Sequence, residues 1–352
     1  MSHIRYRHRM GGHCGSGALR DLTEWAGLGW GTDVPDEGLI FVLGGALDFL
    51  YIRSGTLMPR AYLVGRGGAL EDQYLDRIGA RFRLQSTDDP EIGWGWVIDE
   101  IDAGRPVMVW ADIAELPYLR VRLNMSRHDI VITGYDDAQQ MASVVDNDRE
   151  ATQLVPYEKL RRARSSTGFP VPTRHSTYLI DWPHTVPDMA AIGGPALADS
   201  AAQMRGESSQ PSVIVVPDAD VTGSGLSGVQ IFVDDVRCWP ELFDDDALGA
   251  ALFGLGAFIE KAGTGGGLFR SLQARGCSTI ADLLGAQAVA YAATAAADAA
   301  RLWSAVAAAA LDATVPLRDR CQAAADLAAG LPEAEHTLAD ALDAAARSLV
   351  AR

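Results

Sequence analysis

The chain has 352 residues, more than one hydrophobic core usually serves, so about two domains are expected. With 48% hydrophobic and 22% charged residues it reads as an ordinary globular protein, and its net charge of −16 argues against nucleic acid and anionic membrane as partners. The four cysteines, Cys14, Cys238, Cys277 and Cys321, are far apart and show no metal-ligand spacing, which argues against a disulfide framework or a zinc site and fits a reducing cytoplasm.

The basic start, Ser2 to Arg9, leads into glycines and a cysteine where a secretory signal needs an apolar core, so export is not expected. Gly11-Gly12-His13-Cys14-Gly15-Ser16-Gly17 then sets Cys14 at a permissive turn ahead of a helical segment, Ala18 to Trp25. A thiol at a helix N-terminus meets unpaired backbone N–H groups and the positive end of the dipole, which favour a thiolate in general. The same N–H groups can hold the oxyanion of a tetrahedral intermediate, with His13 and Gly15 as its immediate neighbours. Read without function, glycines around a small apolar cysteine only permit tight packing.

Residues 32–37 read as a turn. Glu37, at its end, is either a helix-start carboxylate or a second pocket carboxylate able to hold a substrate amine. Residues 38–52, broken by Gly44-Gly45, predict a buried helix and then a strand. An amphipathic helix feeding a short strand is expected over 69–83, and a second helix from Pro90, closed by Gly104. A buried strand follows over 105–112, and a loop over 116–119.

Arg127 to Asp137 is a β-branched run ending in Gly-Tyr-Asp-Asp, a strand leading into a hairpin, and Met141 to Asp146 is its return. Pairing brings the start of one strand beside the finish of the other, so His128 is placed next to Asp146. Residues 156–167 form a short basic helix and 177–182 a last strand. The stretch 183–211, rich in Pro, Gly, Ala and Ser, predicts a linker between a domain over 1–182 and a mainly α-helical one over 212–352. Within the latter, 212–216 and 229–233 read as strands and everything beyond Trp239 as helix. The glycines of 263–267 with Arg270 predict either an anion site or a helix corner, and they lack a Walker pattern. The alanine-rich stretch 286–313 is interrupted by Asp298, Arg301 and Asp312, which points to a close-packed helix and not a membrane span, with a face able to take a second copy in a homodimer.

Cys14, His128 and Asp146 together are a nucleophile, its base and the group that orients the base, in the chain order of the papain-like fold. The residues His13 to Leu19, Glu37 with Leu43-Gly44-Gly45, Gly104-Arg105-Pro106-Val107, Leu116-Pro117-Tyr118, His128 to Asp136, Asp146, and Leu160 with Ala163-Arg164 resemble the N-terminal domain of the butirosin biosynthesis protein H family. Ile259 to Arg270 resembles the uncharacterised domain that usually follows it. The resemblance implies an α+β protein: a papain-like N-terminal domain with an antiparallel sheet, then a mainly helical domain.

It further implies an acyltransferase of antibiotic biosynthesis. An acyl group would pass from a carrier-protein or CoA thioester to Cys14, and then to an amine of a natural product, with His128 as base and Asp146 as its orienter. Tyr118 would join His13, Gly15 and Glu37 in the pocket, and phosphopantetheine would enter only as part of the donor, with no other cofactor and no metal. Papain-like peptidases carry a Gln shortly before the cysteine, and Arg5 to His13 contains none. That leaves the oxyanion to backbone N–H groups near Cys14 or to a side chain such as His13. Arg120, Arg122 and Arg127, with Arg161, Arg162 and Arg164, could steer an acidic carrier protein, although each is also ordinary surface charge. The same residues fit a hydrolase or peptidase, or an amide-forming cyclase. A non-catalytic binding protein is the reading from another class, and it predicts an unreactive Cys14.

Overall fold

The computed structural model describes residues 2–31, 34–121, 125–207, 214 and 216–350. The first half of the chain runs β1 (Ser2–His3), α1 (Cys14–Trp25), α2 (Glu37–Leu43), β2 (Leu47–Arg53), β3 (Ala61–Arg66), α3 (Leu70–Arg77), β4 (Arg81–Gln85) and α4 (Pro90–Asp102). Then come β5 (Val107–Ala111), β6 (His128–Asp136), β7 (Met141–Val145), β8 (Gln153–Pro156), α5 (Tyr157–Arg164) and β9 (Thr177–Asp181). The second half is α6 (Met189–Arg205), β10 (Val221–Ser224), α7 (Gly225–Val236), α8 (Trp239–Leu242), α9 (Asp245–Glu260), α10 (Arg270–Leu284), α11 (Gln287–Leu311), α12 (Leu317–Ala328) and α13 (Leu331–Val350).

Two compact units divide this chain, one of residues 1–35 and 75–186, the other of 36–74 and 187–352. The expected boundary therefore needs correction: 36–74 belongs with the C-terminal half, and 183–211 is no linker. α6 occupies most of that stretch, capped by Asp188, which accepts from Ala190 N at 2.8 Å, and ended by Gly206 at φ 73°. Small residues that suggested a linker, Gly193, Gly194, Ala196 and Ser200, share a buried helix face with Ile192, Leu197 and Met204, while Pro195 points to solvent.

The first unit is built on an antiparallel sheet in the order β4-β9-β5-β6-β7-β8, with β1 also paired to β6. Val107, Val109, Ile130, Ile132, Val144 and Val155 from its strands meet Val97 and Ile101 of α4 and Leu160 and Ala163 of α5 in one core. α4 starts where the sequence directs it: Asp89 accepts from Glu91 N and Ile92 N, and Pro90 follows at the first helical position. α1 packs on β6 and is buried over most of its length.

The second unit combines a three-stranded antiparallel sheet, β10-β2-β3, with helices arranged around α11. The buried alanines of α11, among them Ala292, Ala296, Ala299 and Ala307, let α9, α10, α12 and α13 approach closely. At the α2–α10 crossing a Cβ on Gly38 would lie 2.6 Å from Gly276 N, so only glycine fits there. The strand expected at 229–233 is instead part of α7. Val229, Phe232, Val233 and Val236 are the buried residues there, a 3.6-residue period that outweighs the β-branched composition. Of the strand expected at 212–216, residues 212, 213 and 215 lie outside the described residues, and Ile214 and Val216 are in no strand. Residues 32 and 33 of the expected turn are likewise outside them. No helix among the described residues is long and apolar enough to cross a membrane.

Candidate functional site

Cys14 is the first residue of α1 and 9% exposed. His13 caps the helix: its Nδ1 accepts from Ser16 N at 3.1 Å, which in the neutral ring leaves the proton on Nε2, and Nε2 lies 3.7 Å from Cys14 Sγ. On a further side the thiol donates to Asp129 Oδ2 at 3.8 Å. The third neighbour is His128, whose imidazole pKa the Cys14 side chain helps to raise.

His128 opens β6 and pairs through Nε2 with Asp146 Oδ2 at 2.8 Å. The hairpin accounts for this, since Val131 pairs with Val145 in the register and the strand ends lie together beyond that pair. Asp146 is covered and receives three donors: His128, the Tyr118 hydroxyl at 2.8 Å and the Asp148 amide at 3.2 Å. Burial alone would push the His128 pKa down. The Asp146 charge and hydrogen bond, with Cys14 behind them, outweigh it and hold the imidazole well above its ordinary 6.5. For Asp146 burial raises the pKa, but the His128 charge and the three donors bring it below 3.8.

The segment that carries Cys14 is tied to the loop that carries Asp146. Gly11 N donates to Asn147 O at 3.0 Å, and Asn147 Nδ2 returns a bond to Gly11 O. His8 joins the same loop through Nε2, 3.1 Å from Asp146 O and 2.7 Å from Arg149 O, while its Nδ1 sits 2.8 Å from Asp21 Oδ2 on α1. Burial lowers the His8 pKa, yet the Asp21 bond and the two carbonyls leave it raised overall. Sequence reasoning missed His8, Asp21 and Asp129. The available signals were the heptad spacing of Asp21 from Cys14, which puts both on one face of α1, and an acidic residue inside an otherwise apolar strand.

The family described as "Butirosin biosynthesis protein H, N-terminal" matches residues 13–147, and "Domain of unknown function (DUF4872)" matches residues 158–342. The chain belongs to this two-domain butirosin biosynthesis protein H-like family. No curated protein matches it.

Not every expected residue joins this group in the butirosin biosynthesis protein H-like chain. Glu37 opens α2 in the other compact unit, buried, with Arg275 at 3.8 Å. Its surroundings are those of a helix-start carboxylate facing a guanidinium. Tyr118 meets Asp146 and does not stand as a separate pocket wall, with Arg149 6.0 Å over its ring. Gly15 follows Cys14 in the buried first turn of α1. The residues 263–270 form the corner between α9 and α10 and no anion site, because Arg270 is fully buried and paired to Glu335 at 2.8 Å.

The arginine cluster also needs correction. Arg161 pairs with Glu158 and Arg162 with Glu115, Arg127 lies 5.0 Å over the Trp110 ring, and Arg164 is buried, so four of the six are engaged or covered. Arg120 is exposed, and Arg122 lies outside the described residues. All four cysteines are free. Burial pushes Cys277 and Cys321 up to about 12 and about 11, which leaves them inert beside Cys14 with its two imidazoles. Among the described residues no group of His, Cys, Asp and Glu is arranged to hold a metal ion.

Proposed function

We propose that the first unit is a papain-like acyltransferase domain in which Cys14 is transiently acylated, His128 moves the proton and Asp146 orients His128. The observation that carries this reading is the imidazole bonded at 2.8 Å to a buried carboxylate, with its pKa raised by that carboxylate and by Cys14. The description of the matched family names butirosin biosynthesis, which supports an acyl donor and an amine acceptor from antibiotic biosynthesis.

In the first half-reaction Cys14 Sγ, its proton having passed to His128, attacks the carbonyl carbon of a carrier-protein or CoA thioester. The new S–C bond forms, the donor C–S bond breaks, and the departing thiolate takes the proton from His128. In the second, the acceptor amine attacks the Cys14 thioester. An N–C bond forms, the Cys14 S–C bond breaks, and neutral His128 receives the amine proton. Asp146 keeps the ring in place throughout. Backbone N–H groups in the first turn of α1 and the Nε2–H of His13 are the donors available to an oxyanion near Cys14. With Cys14 only 9% exposed, a thin phosphopantetheine arm suits the approach, and a dry surrounding favours amine over water as acceptor. No other cofactor is required by these steps.

Incubation with acyl thioesters followed by intact-mass spectrometry tests the reading. A single acyl adduct is expected, lost in Cys14→Ala and discharged by added amine faster than by water. Absence of any adduct, or an adduct that persists in Cys14→Ala, sinks covalent transfer through this residue. An adduct discharged by water alone assigns the protein to hydrolysis.

A further inference from the structure

A cavity of about 430 Å³ in the first unit contains none of the residues around Cys14; Arg164 and His175 line its wall together with Trp94, Ile98 and Tyr157. Arg164 is 1% exposed, and among the described residues its guanidinium hydrogen bonds run from Nη2 to neutral oxygens: Gly93 O at 3.3 Å, His175 O at 3.0 Å and Thr177 Oγ1 at 2.7 Å. Among the described residues its Nε has no partner and no carboxylate pairs with it, so burial alone shifts its pKa. Three acidic groups line the cavity: Glu158 is engaged by Arg161, Asp137 by the Tyr157 hydroxyl, and Glu91 is an exposed residue of the first turn of α4.

The wall beside Arg164 is closely built. His175 is buried, its Nε2 is also without a partner, and its backbone sits at φ 49°, a left-handed conformation that a non-glycine residue holds only where its surroundings require it. A Cβ on Gly93 would come within 2.5 Å of His175 Cβ, so the glycine is what lets α4 close over this ring. Burial pushes Arg164 down to about 9 and, with the Arg164 charge, His175 down to about 4. At neutral pH the pair is therefore a buried cation beside a neutral imidazole that can donate or accept. A buried charge without a counter-ion is costly to the fold, and a cavity walled by that residue is where a counter-ion fits.

We propose that this cavity binds a small organic anion, a carboxylate or phosphate monoester with an apolar stem, its charge on Arg164 and its stem against Trp94 and Ile98. The proposal is independent of the acyl-transfer reading. Isothermal titration of the full chain at pH 7 with benzoate, phenyl phosphate and inorganic phosphate, and with benzyl alcohol as neutral control, tests it. Saturable binding of benzoate or phenyl phosphate and none of benzyl alcohol is expected, weakened about tenfold or more in Arg164→Gln, as for loss of a charge-assisted bond. Which of the two aromatic anions binds more tightly decides between carboxylate and phosphate. Ile98→Trp leaves Arg164 and its bonds intact but fills the cavity, so it must weaken binding as much even where Arg164→Gln fails to fold. No saturable binding of either aromatic anion, binding of inorganic phosphate alone, or binding undiminished in Ile98→Trp overturns the proposal.

Discussion

Two buried carboxylates of this protein have nearly the same partners and opposite prospects. Glu335, in the second unit, takes Arg270 Nε at 2.8 Å and Arg270 Nη2 at 3.1 Å through its two oxygens, together with the Trp303 indole N–H. Asp146, in the first, takes His128 at 2.8 Å and the Tyr118 hydroxyl at 2.8 Å. Arg270 spends its remaining donors on the carbonyls of Asp48, Gly65 and Leu268, so the network closes on itself. His128 is influenced by the Cys14 thiol as well as by Asp146, so that network stays open to a nucleophile. A guanidinium with every donor bonded fixes structure. A cation that titrates under the influence of a nearby thiol is equipped to move a proton.

The comparison breaks most visibly at Asp146. Asp146→Asn keeps the shape and removes the charge, so the imidazole loses what outweighs its burial and its pKa should fall to or below 6.5. Acyl transfer should drop about 10³- to 10⁴-fold, as when a triad carboxylate is made an amide elsewhere. Steady-state transfer assays and NMR titration of His128 read both effects, and an unchanged His128 titration would remove Asp146 from the mechanism. Glu335→Leu probes the closed network: it strands a fully buried guanidinium and should cost about 3–5 kcal/mol in chemical denaturation. Arg270→Leu combined with Glu335→Leu should recover much of that loss. If the double variant is as unstable as the sum of the singles, the two residues do not act as a pair.

The open network was the more legible of the two in the sequence. A β-branched run, a turn and a return run suffice to place His128 beside Asp146, because antiparallel pairing is a local rule. Glycines and a cysteine before a helix likewise located Cys14. Nothing local links Arg270 to Glu335 across 65 residues, or His8 to Asp21 and the Asp146 loop, so these needed the fold. The misread elements have physical causes as well. α6 carries a proline and many small residues, and α7 carries the valines and isoleucine of a strand. In both the burial of one face decided the outcome over composition. β1 and β8 escaped notice because two- and four-residue strands gain their pairing from the rest of the sheet.

The smallest expected effect sharpens the comparison by trimming one donor from the open network. Tyr118→Phe removes the hydroxyl that donates to Asp146 Oδ2 while leaving the ring under Arg149. Asp146 then loses one of the groups that hold its pKa below 3.8, so that pKa should rise. A depressed carboxylate contributes stability that is present above its unfolded value and disappears as pH falls through its folded value. The variant should therefore be less stable by about 1 kcal/mol at pH 7, begin its acid loss at a higher pH, and converge with the wild type once Asp146 is protonated in both. Urea unfolding across the acid range measures the difference. A deficit that stays constant down to the lowest pH would mean that the hydroxyl acts through packing and not through the Asp146 charge. Because His128 keeps its direct bond to the carboxylate, acyl transfer should fall only a few-fold, far less than in Asp146→Asn.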